Sequence, residues 1–119
     1  MENLISWHVE LVVRPGQLDH FRALTREMME STKREPGVLI YERFIDDANA
    51  NVHIYERYTD SAAAVAHLHT FARLYGERFS GMVERTRFVV YGDPTPDLKQ
   101  LLDGLGAIYL SRFDGFVAS

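Results

Sequence analysis

The chain has 119 residues, enough for one hydrophobic core, and we predict a single domain over residues 1–119. Its formal charge of −4 is the balance of 13 Lys and Arg against 17 Asp and Glu, with no basic arm, so we expect no nucleic-acid partner. Cysteine is absent, which excludes disulfides and thiolate chemistry and fits a reducing cytoplasm.

Nothing in the sequence indicates association with a membrane. The first eight residues lack the basic and apolar segments of a signal peptide. The longest apolar runs are as short as strands, well below the ~20 residues that cross a bilayer. We therefore expect a cytoplasmic protein without a membrane partner.

The first two predicted elements are a strand and an amphipathic helix. The strand covers residues 5–13, and its apolar face carries Ile5, Trp7, Val9, Leu11 and Val13. The helix covers residues 17–34, and its apolar stripe consists of Leu18, Phe21, Leu24 and Met28. Pro36 cannot continue this helix, so a turn is predicted before the next strand.

Residues 38–45 and 52–59 are two β-branched and aromatic runs around a polar turn, a pattern typical of a hairpin. Two pairings of its strands are open. If Phe44 faces Ile54, Glu42 faces Glu56, and the crowded carboxylates would have raised pKa values suited to acid–base chemistry. A slip of one residue instead pairs Glu42 with Arg57 and Arg43 with Glu56, an ordinary salt ladder and the more common arrangement.

A second helix is predicted to follow the hairpin, with Thr59, Asp60 or Ser61 as its cap. Its apolar stripe consists of Val65, Leu68, Ala72, Tyr75, Phe79 and Met82. A break near Thr70 would divide it into two shorter helices. Residues 83–91 then read as a fourth strand, which completes an α+β, ferredoxin-like β-α-β-β-α-β order with an antiparallel sheet and both helices on one face.

The other face of this sheet is expected to mix apolar residues with polar ones such as Glu10, Arg43, Arg57 and Arg87. A second subunit would cover it, so a homodimer is predicted. The ferredoxin-like core spans residues 4–92, and residues 93–119 form an extension. That extension should hold a helix starting at Thr95 and a strand over residues 108–113, which pairs with a sheet edge of its own or of the partner.

Three segments resemble the antibiotic-biosynthesis monooxygenase superfamily of dimeric α+β barrels: residues 13–21 (VRPGQLDHF), 35–41 (EPGVLIY) and 55–67 (YERYTDSAAAVAH). One departure is that Tyr58 stands where the family's usual Glu-x-Trp has Trp. The resemblance implies a monooxygenase that needs no metal, haem or flavin cofactor, because the deprotonated substrate itself reduces oxygen. It also aligns His67 with the family's helix histidine and Glu56 with its strand glutamate.

We therefore take His67 as the candidate catalytic base and Glu56 as its orienting partner. The alternatives are a structural histidine bonded to a strand carboxylate, and a Glu56 that only pairs with Arg43 or Arg85. His69 lies some 200° further round the helix, so the two histidines predict no metal site. His20 and His53 are given no role.

Aromatic residues make up 12% of the chain, which suggests a ring-lined cavity, an aromatic-rich interface or both, although most aromatic stripes belong simply to a core. The candidate substrate-binding residues are Trp7, Tyr41, Tyr58, Phe71, Tyr75 and Phe79.

Three functions are compatible with these features. The first is a cofactor-independent monooxygenase that uses O₂ on a small hydroxylated aromatic, quinol or polyketide-type substrate. The second is a ligand-binding or assembly module of the same fold that carries out no reaction. The third is a haem-degrading monooxygenase. It is disfavoured, since the family's haem-degrading members have an Asn on the first strand and a Trp beside the haem, and this chain has Tyr58 and no such Asn.

Overall fold

A computed structural model of the chain describes residues 3–46, 48 and 50–118. In chain order the elements are β1 (Ile5–Val13), α1 (Leu18–Thr32), β2 (Val38–Asp46), β3 (Asn51–Tyr58), α2 (Ser61–Leu74), α3 (Gly76–Met82), β4 (Val83–Tyr91), α4 (Pro96–Gly104) and β5 (Ile108–Leu110). The predicted ferredoxin-like order is confirmed, and the predicted bounds of β1 and β4 are those observed.

The strands form one mixed sheet in the order β2-β3-β1-β4-β5. Strands β1 to β4 pair antiparallel, and β5 joins the outer side of β4 in parallel. The apolar face of β1 packs against the helices, and side chains such as Trp7, Phe21 and Ala64 are almost fully buried between the layers. The helix-covered face of the sheet therefore holds the main core.

The register of the β2–β3 hairpin differs from both predicted pairings. Arg43 lies opposite Ile54, Tyr41 lies opposite Glu56, and Glu42 lies opposite Tyr55. Glu42 and Glu56 consequently project from opposite faces of the sheet. Arg43 faces the helices and not the open face, where the sequence analysis had placed it. Residues 47 and 49 of the turn lie outside the described residues.

The predicted break in the second helix is real but lies further along the chain. Helix α2 runs through Thr70 without interruption and ends at Leu74, and α3 begins at Gly76. The N-cap of α2 is Asp60, whose carboxylate accepts a hydrogen bond from the backbone N–H of Ala63 at 2.9 Å. Thr70 has helical neighbours on both sides and acts as no cap.

The C-terminal extension packs onto its own chain. Helix α4 begins after Thr95 with Pro96 in its first turn, as predicted, and buries Leu98 and Leu102 completely in the core. Strand β5 is shorter than the predicted 108–113, because pairing with β4 stops at Leu110. Beyond it the backbone leaves the sheet, and the Phe113 side chain is fully exposed.

The face of the sheet away from the helices carries a polar centre between apolar ends. Its exposed apolar side chains are Phe44, Tyr91, Ile108 and Leu110. Within residues 3–46, 48 and 50–118, no helix combines the length and the apolar character needed to span a bilayer.

Candidate functional site

His67 projects from the second turn of α2 towards the sheet. It lies one helical turn after Ala64, so the two side chains share the buried face of the helix. Only 5% of His67 is exposed, and its ring stacks near Tyr58 and Tyr41, at centroid distances of 5.5 and 5.7 Å. His67 therefore lies in the space between the sheet and the helices and not in solvent.

Glu35 holds one nitrogen of this imidazole. Its Oε1 lies 2.9 Å from Nδ1 of His67. An ionised carboxylate can only accept hydrogen bonds, so Nδ1 carries the proton of the neutral ring and Nε2 is its basic nitrogen. The sequence analysis did not select Glu35.

Gly37 brings the Glu35 turn close to α2. Its φ is +87°, and a Cβ at this position would lie 2.6 Å from the Cβ of Ala63 and 2.9 Å from Oγ1 of Thr59. The Gly37 carbonyl also accepts a hydrogen bond from the N–H of Thr59. A glycine is therefore required where the chain between α1 and β2 passes the first turn of α2, and this approach sets the position of Glu35.

Glu56 lies on the other side of the His67 ring. Its Oε1 is 3.6 Å from Nε2 of His67 and accepts hydrogen bonds from Nε1 of Trp7 at 2.9 Å and the hydroxyl of Tyr58 at 2.5 Å. Its Oε2 forms an ion pair with Nη2 of Arg43 at 2.7 Å. Both pairings expected for Glu56, with His67 and with Arg43, therefore occur together. The contact between Arg43 and Glu56 is diagonal across the β2–β3 ladder, because the residue directly opposite Arg43 is Ile54.

The charges around Glu56 keep it ionised despite its burial. Burial would raise the pKa of Glu56, but the neighbouring Arg43 guanidinium, His67 and the Tyr58 hydrogen bond together hold it below the ordinary value of 4.5. The same carboxylate acts on Tyr58, where burial and then the charge of Glu56 raise the pKa well above 10. Tyr58 is thus a permanent hydrogen-bond donor and not a base at neutral pH.

His67 lines a small cavity of about 70 Å³ between the sheet and the helices. Its apolar lining comes from Trp7, Val9, Met28, Ile54, Leu68, Phe71, Phe79, Phe88 and Leu105. Four polar residues complete it, namely Arg43, Glu56, His67 and Arg85. The cavity therefore joins an apolar wall to one imidazole, one carboxylate and two guanidinium groups.

Three of the six aromatic residues predicted to bind substrate line this cavity, namely Trp7, Phe71 and Phe79. The other three do not. Tyr58 is fully buried behind Glu56, and Tyr41 lies under the Arg43 guanidinium, 3.4 Å from its ring centroid. Tyr75 borders a shallow groove on the outer surface with residues of α1.

A β-bulge in β4 directs Arg85 into the cavity. Glu10 of β1 lies opposite Arg87, whereas the next residue, Leu11, lies opposite Arg85, so Thr86 is an extra residue in the ladder. Without that extra residue Arg85 would project from the open face. Its Nη2 donates to the carbonyl of Leu105 at 3.1 Å, which fastens the loop after α4 over the cavity.

Arg43 brings a donor without a partner to the site. Its Nη2 is used by Glu56, but Nη1 is buried and has no hydrogen-bond partner within the described part of the chain. A buried donor left in this state is unfavourable unless a ligand or water satisfies it. An oxygen atom of a bound ligand is one group that can do so.

Of the residues that build this site, Glu35, Arg85 and Leu105 carried no catalytic or substrate-binding assignment in the sequence analysis. Glu35 had a usable signal, since the Pro36-Gly37 pair after it marks a tight turn that leads into a strand next to the site. Arg85 had none, because a bulge has no mark in an alternating strand pattern. Leu105 belongs to the extension, which we did not connect with the cavity.

The arrangement is suited to proton transfer. The imidazole of His67 is held at Nδ1 by a carboxylate and lines a largely apolar cavity, and a spare guanidinium donor is available for a developing negative charge. These are the groups that remove a proton from a weakly acidic organic molecule and stabilise the resulting anion.

Solved structures of other proteins share this fold. MupZ from Pseudomonas fluorescens has a similar fold, with a TM-score of 0.83, 24% identity and alignment over 98% of this chain and 95% of MupZ. A candidate antibiotic biosynthesis monooxygenase from Bacteroides thetaiotaomicron gives a TM-score of 0.63 at 29% identity, covering 80% of this chain and 90% of its own. SnoaB from Streptomyces nogalater, a cofactor-independent oxygenase solved as its N63A mutant, gives a TM-score of 0.65 at 11% identity. The alignment covers 78% of this chain and 95% of SnoaB.

A comparison with curated protein sequences found no match. The sequence model of the antibiotic biosynthesis monooxygenase family, however, matches residues 5–87, from the start of β1 to the bulged part of β4. This chain is therefore a member of the antibiotic biosynthesis monooxygenase family.

Proposed function

We propose that the protein is a cofactor-independent monooxygenase in which His67 removes a proton from a hydroxylated aromatic, quinol or polyketide-type substrate. The observation that carries the proposal is the setting of His67: Glu35 binds its Nδ1, and the residue lines the cavity beside Glu56. Family membership and the oxygenase among the structural neighbours support it.

The reaction can be written for an anthrone-type carbon, R₂CH₂. His67 takes one proton, and the resulting anion gives one electron to O₂. The two radicals combine to form a C–O bond, and the peroxide anion recovers the proton from His67. Loss of water then leaves the carbonyl, so that R₂CH₂ and O₂ become R₂C=O and H₂O. The protein supplies a base, a binding site for the anion and exclusion of water.

Arg43 is assigned to the substrate oxyanion. Its buried Nη1 has no partner among the described residues, and a phenolate or enolate oxygen would satisfy this donor. Glu56 fixes the other end of the guanidinium through Nη2. The cation therefore stays in position while negative charge develops on the substrate.

The size of the cavity limits how a substrate can enter. It measures about 70 Å³, whereas pockets for drug-sized ligands usually hold about 300–1,000 Å³. A ring system needs displacement of the wall, and the Leu105 loop is the part of the wall that Arg85 fastens through one hydrogen bond. Opening of this loop is thus part of the proposed reaction cycle.

The test is oxygen consumption by the purified protein with a series of simple quinols and anthrones. His67→Ala should lower the rate by about 10²–10⁴-fold, the usual contribution of a general base. His69→Ala is the matched control, because His69 is exposed on the same helix. If wild type consumes oxygen and a folded His67→Ala variant does so equally fast, His67 is not the base.

A ligand-binding module without turnover is the second candidate, and the small size of the cavity favours it. Trp7 is the single tryptophan of the chain and lines the cavity, so its fluorescence reports occupancy directly. Quenching of Trp7 by quinones, without oxygen consumption for any quinol tested, would support this second function. Oxygen consumption that depends on His67 would exclude it.

We also propose that the protein is a homodimer, joined through the sheet face that the helices leave open. Four exposed apolar side chains lie on that face, and Phe44 and Leu110 are more than half exposed. Burying such surface contributes about 25 cal/mol per Å². The polar groups between them, including Arg57 and Arg87, would need partners across the interface.

A further inference from the structure

His8, Glu10 and His53 converge on the open face of the sheet, on the side opposite the His67 cavity. Nε2 of His8 lies 2.8 Å from Oε2 of Glu10, and Nε2 of His53 lies 4.0 Å from Oε1 of the same carboxylate. The two imidazole rings meet edge to face, with centroids 4.9 Å apart. One ligand atom from each residue falls within 4.8 Å of the other two.

These separations are close to those of a metal site. Zinc binds imidazole nitrogen at about 2.0–2.1 Å and carboxylate oxygen at about 2.0–2.2 Å, so ligand atoms around one tetrahedral ion lie about 3.3 Å apart. The observed separations from the Glu10 carboxylate oxygens, 2.8 Å for His8 and 4.0 Å for His53, lie on either side of this distance. Small side-chain rotations, chiefly of the half-exposed His53, would therefore bring the three ligand atoms around one ion.

The backbone beneath the three residues is regular and holds them on one face. His8 and Glu10 are two positions apart on β1, and His53 lies directly opposite Glu10 on β3. Residues that share one face of two hydrogen-bonded central strands have little freedom to separate. Sites built on such elements are more precise than sites on loops.

The neighbouring groups on this face are compatible with a cation. Arg87 lies opposite Glu10 on β4 and is the nearest competing charge, while Phe44 lies opposite His53 on β2. His8 also borders a cleft of about 630 Å³ next to Ser6, Tyr55 and Arg57. An ion bound here would therefore have an open position facing that cleft, which the second subunit of the proposed dimer would cover.

We propose that His8, Glu10 and His53 form a binding site for one divalent first-row transition-metal ion of the kind that prefers imidazole, such as Zn²⁺. The ligands are Nε2 of both histidines and one carboxylate oxygen. Two imidazoles and one carboxylate are a common ligand set for Zn²⁺ and its neighbours in the series. The site lies across the sheet from His67, so it is independent of the proposed oxygenase chemistry.

The experiment is calorimetric titration of the chelator-treated, full-length protein with Zn²⁺, together with the visible absorption of the Co²⁺ form. Wild type should bind one ion per chain. His8→Ala and His53→Ala should each bind at least about tenfold more weakly, because loss of even an outer hydrogen-bond partner of a ligand costs about 10–100-fold. His20→Ala and His69→Ala should bind like wild type, since both histidines are exposed elsewhere on the surface.

Circular dichroism of each variant controls for folding, and His53→Ala is the safer of the two ligand variants because His53 is half exposed. The Co²⁺ spectrum should show ligand-field bands in wild type and lose them in His53→Ala. Absence of stoichiometric Zn²⁺ binding by wild type would overturn the proposal. So would unchanged affinity in both His8→Ala and His53→Ala.

Discussion

Nδ1 of His67 lies 2.9 Å from Oε1 of Glu35, a residue 32 positions earlier in the chain. The contact joins the turn before β2 to the second turn of α2, and Gly37 makes it possible by letting the two segments approach. It occupies Nδ1 and leaves Nε2 outside this hydrogen bond. The orienting group in closest contact with His67 is thus Glu35, while Glu56 lies beside Nε2 at 3.6 Å.

Glu35→Gln should lower the turnover number for oxygen consumption by about tenfold or more and change KM little. The substitution keeps a hydrogen-bond acceptor for Nδ1 but removes the negative charge that stabilises the protonated ring. This loss should be smaller than the ~10²–10⁴-fold loss expected when the general base itself is removed. Glu42→Gln is the control, because Glu42 is exposed on the other face of the sheet. A turnover number equal to wild type would show that Glu35 has a structural role only.

Glu56→Gln should destabilise the protein by about 3–5 kcal/mol. The change leaves the Arg43 guanidinium, with its side chain 13% exposed, without a counter-charge. Urea unfolding followed by Trp7 fluorescence measures this loss, because Trp7 donates to the same carboxylate. Glu42→Gln should stay within about ±0.5 kcal/mol of wild type. A loss of similar size in both variants would contradict the prediction.

The same carboxylate should make stability depend on acid pH. The pKa of Glu56 in the folded chain lies below its ordinary 4.5, so the unfolded chain binds the proton more tightly. The contribution to the free energy of unfolding is complete above pH 4.5 and is lost as pH falls through the lower folded-state pKa. In this pH range the midpoint temperature of thermal unfolding should fall more steeply with decreasing pH in wild type than in Glu56→Gln. If the stability of wild type and of Glu56→Gln depends on pH in the same way, Glu56 is not the cause of the loss at acid pH.

Arg85→Ala should open the cavity. Without the hydrogen bond to the Leu105 carbonyl, the loop after α4 is less firmly held, and ring-shaped ligands should enter faster. We expect an association rate about two- to tenfold higher in stopped-flow quenching of Trp7. Arg87→Ala is a matched control, since this neighbouring arginine projects from the opposite face of β4. Equal rates in the two variants would exclude the loop as a gate.

Leu102→Ala should cost about 2–5 kcal/mol of stability, because Leu102 is fully buried and its truncation leaves a cavity. The value would show that α4 belongs to the folded core of this chain. Gln100→Ala, on the exposed side of the same helix, should change stability by no more than about 0.5 kcal/mol. A Leu102→Ala variant as stable as wild type would mean that the extension is dispensable.

Phe44→Asp should weaken the proposed dimer. Phe44 is 56% exposed on the open face, and a carboxylate there would have to be desolvated on association. Sedimentation should find a dimer for wild type and a shift towards the 13.7 kDa monomer for the variant. Leu74→Asp, an exposed position on the helix side, should leave association unchanged. A wild type that stays monomeric at micromolar concentration refutes the interface.

Local patterns in the sequence were sufficient for the elements and for the buried face of each. The alternation of β1 and the helical spacing of α1 follow from the requirement that one face be buried, and this requirement is visible residue by residue. The resemblance of three segments to a family identified His67 and Glu56. Asp60 was one of three possible caps, and Thr95 and Pro96 marked the start of α4.

Strand pairing, and the sheet face on which a side chain lies as a result, were decided only by the tertiary structure. The hairpin pairs in neither of the two predicted ways, and its contact between Arg43 and Glu56 is diagonal, so the salt bridge that the sequence suggested forms without the expected pairing. One extra residue, Thr86, turns Arg85 from the open face into the cavity. A change of one position in a strand moves a side chain to the other face, yet it leaves the local pattern almost unchanged.

Contacts between distant segments were equally invisible in the sequence. Glu35 meets His67, and His53 meets Glu10, because a turn approaches a helix and two strands pair side by side. Each of these residues has an ordinary local environment along the chain. The sequence by itself determined the layers of this protein and the histidine between them. The tertiary structure decided which carboxylates and guanidinium groups surround His67, and which histidines lie beside Glu10. Only long-range pairing of segments brings these groups within bonding distance.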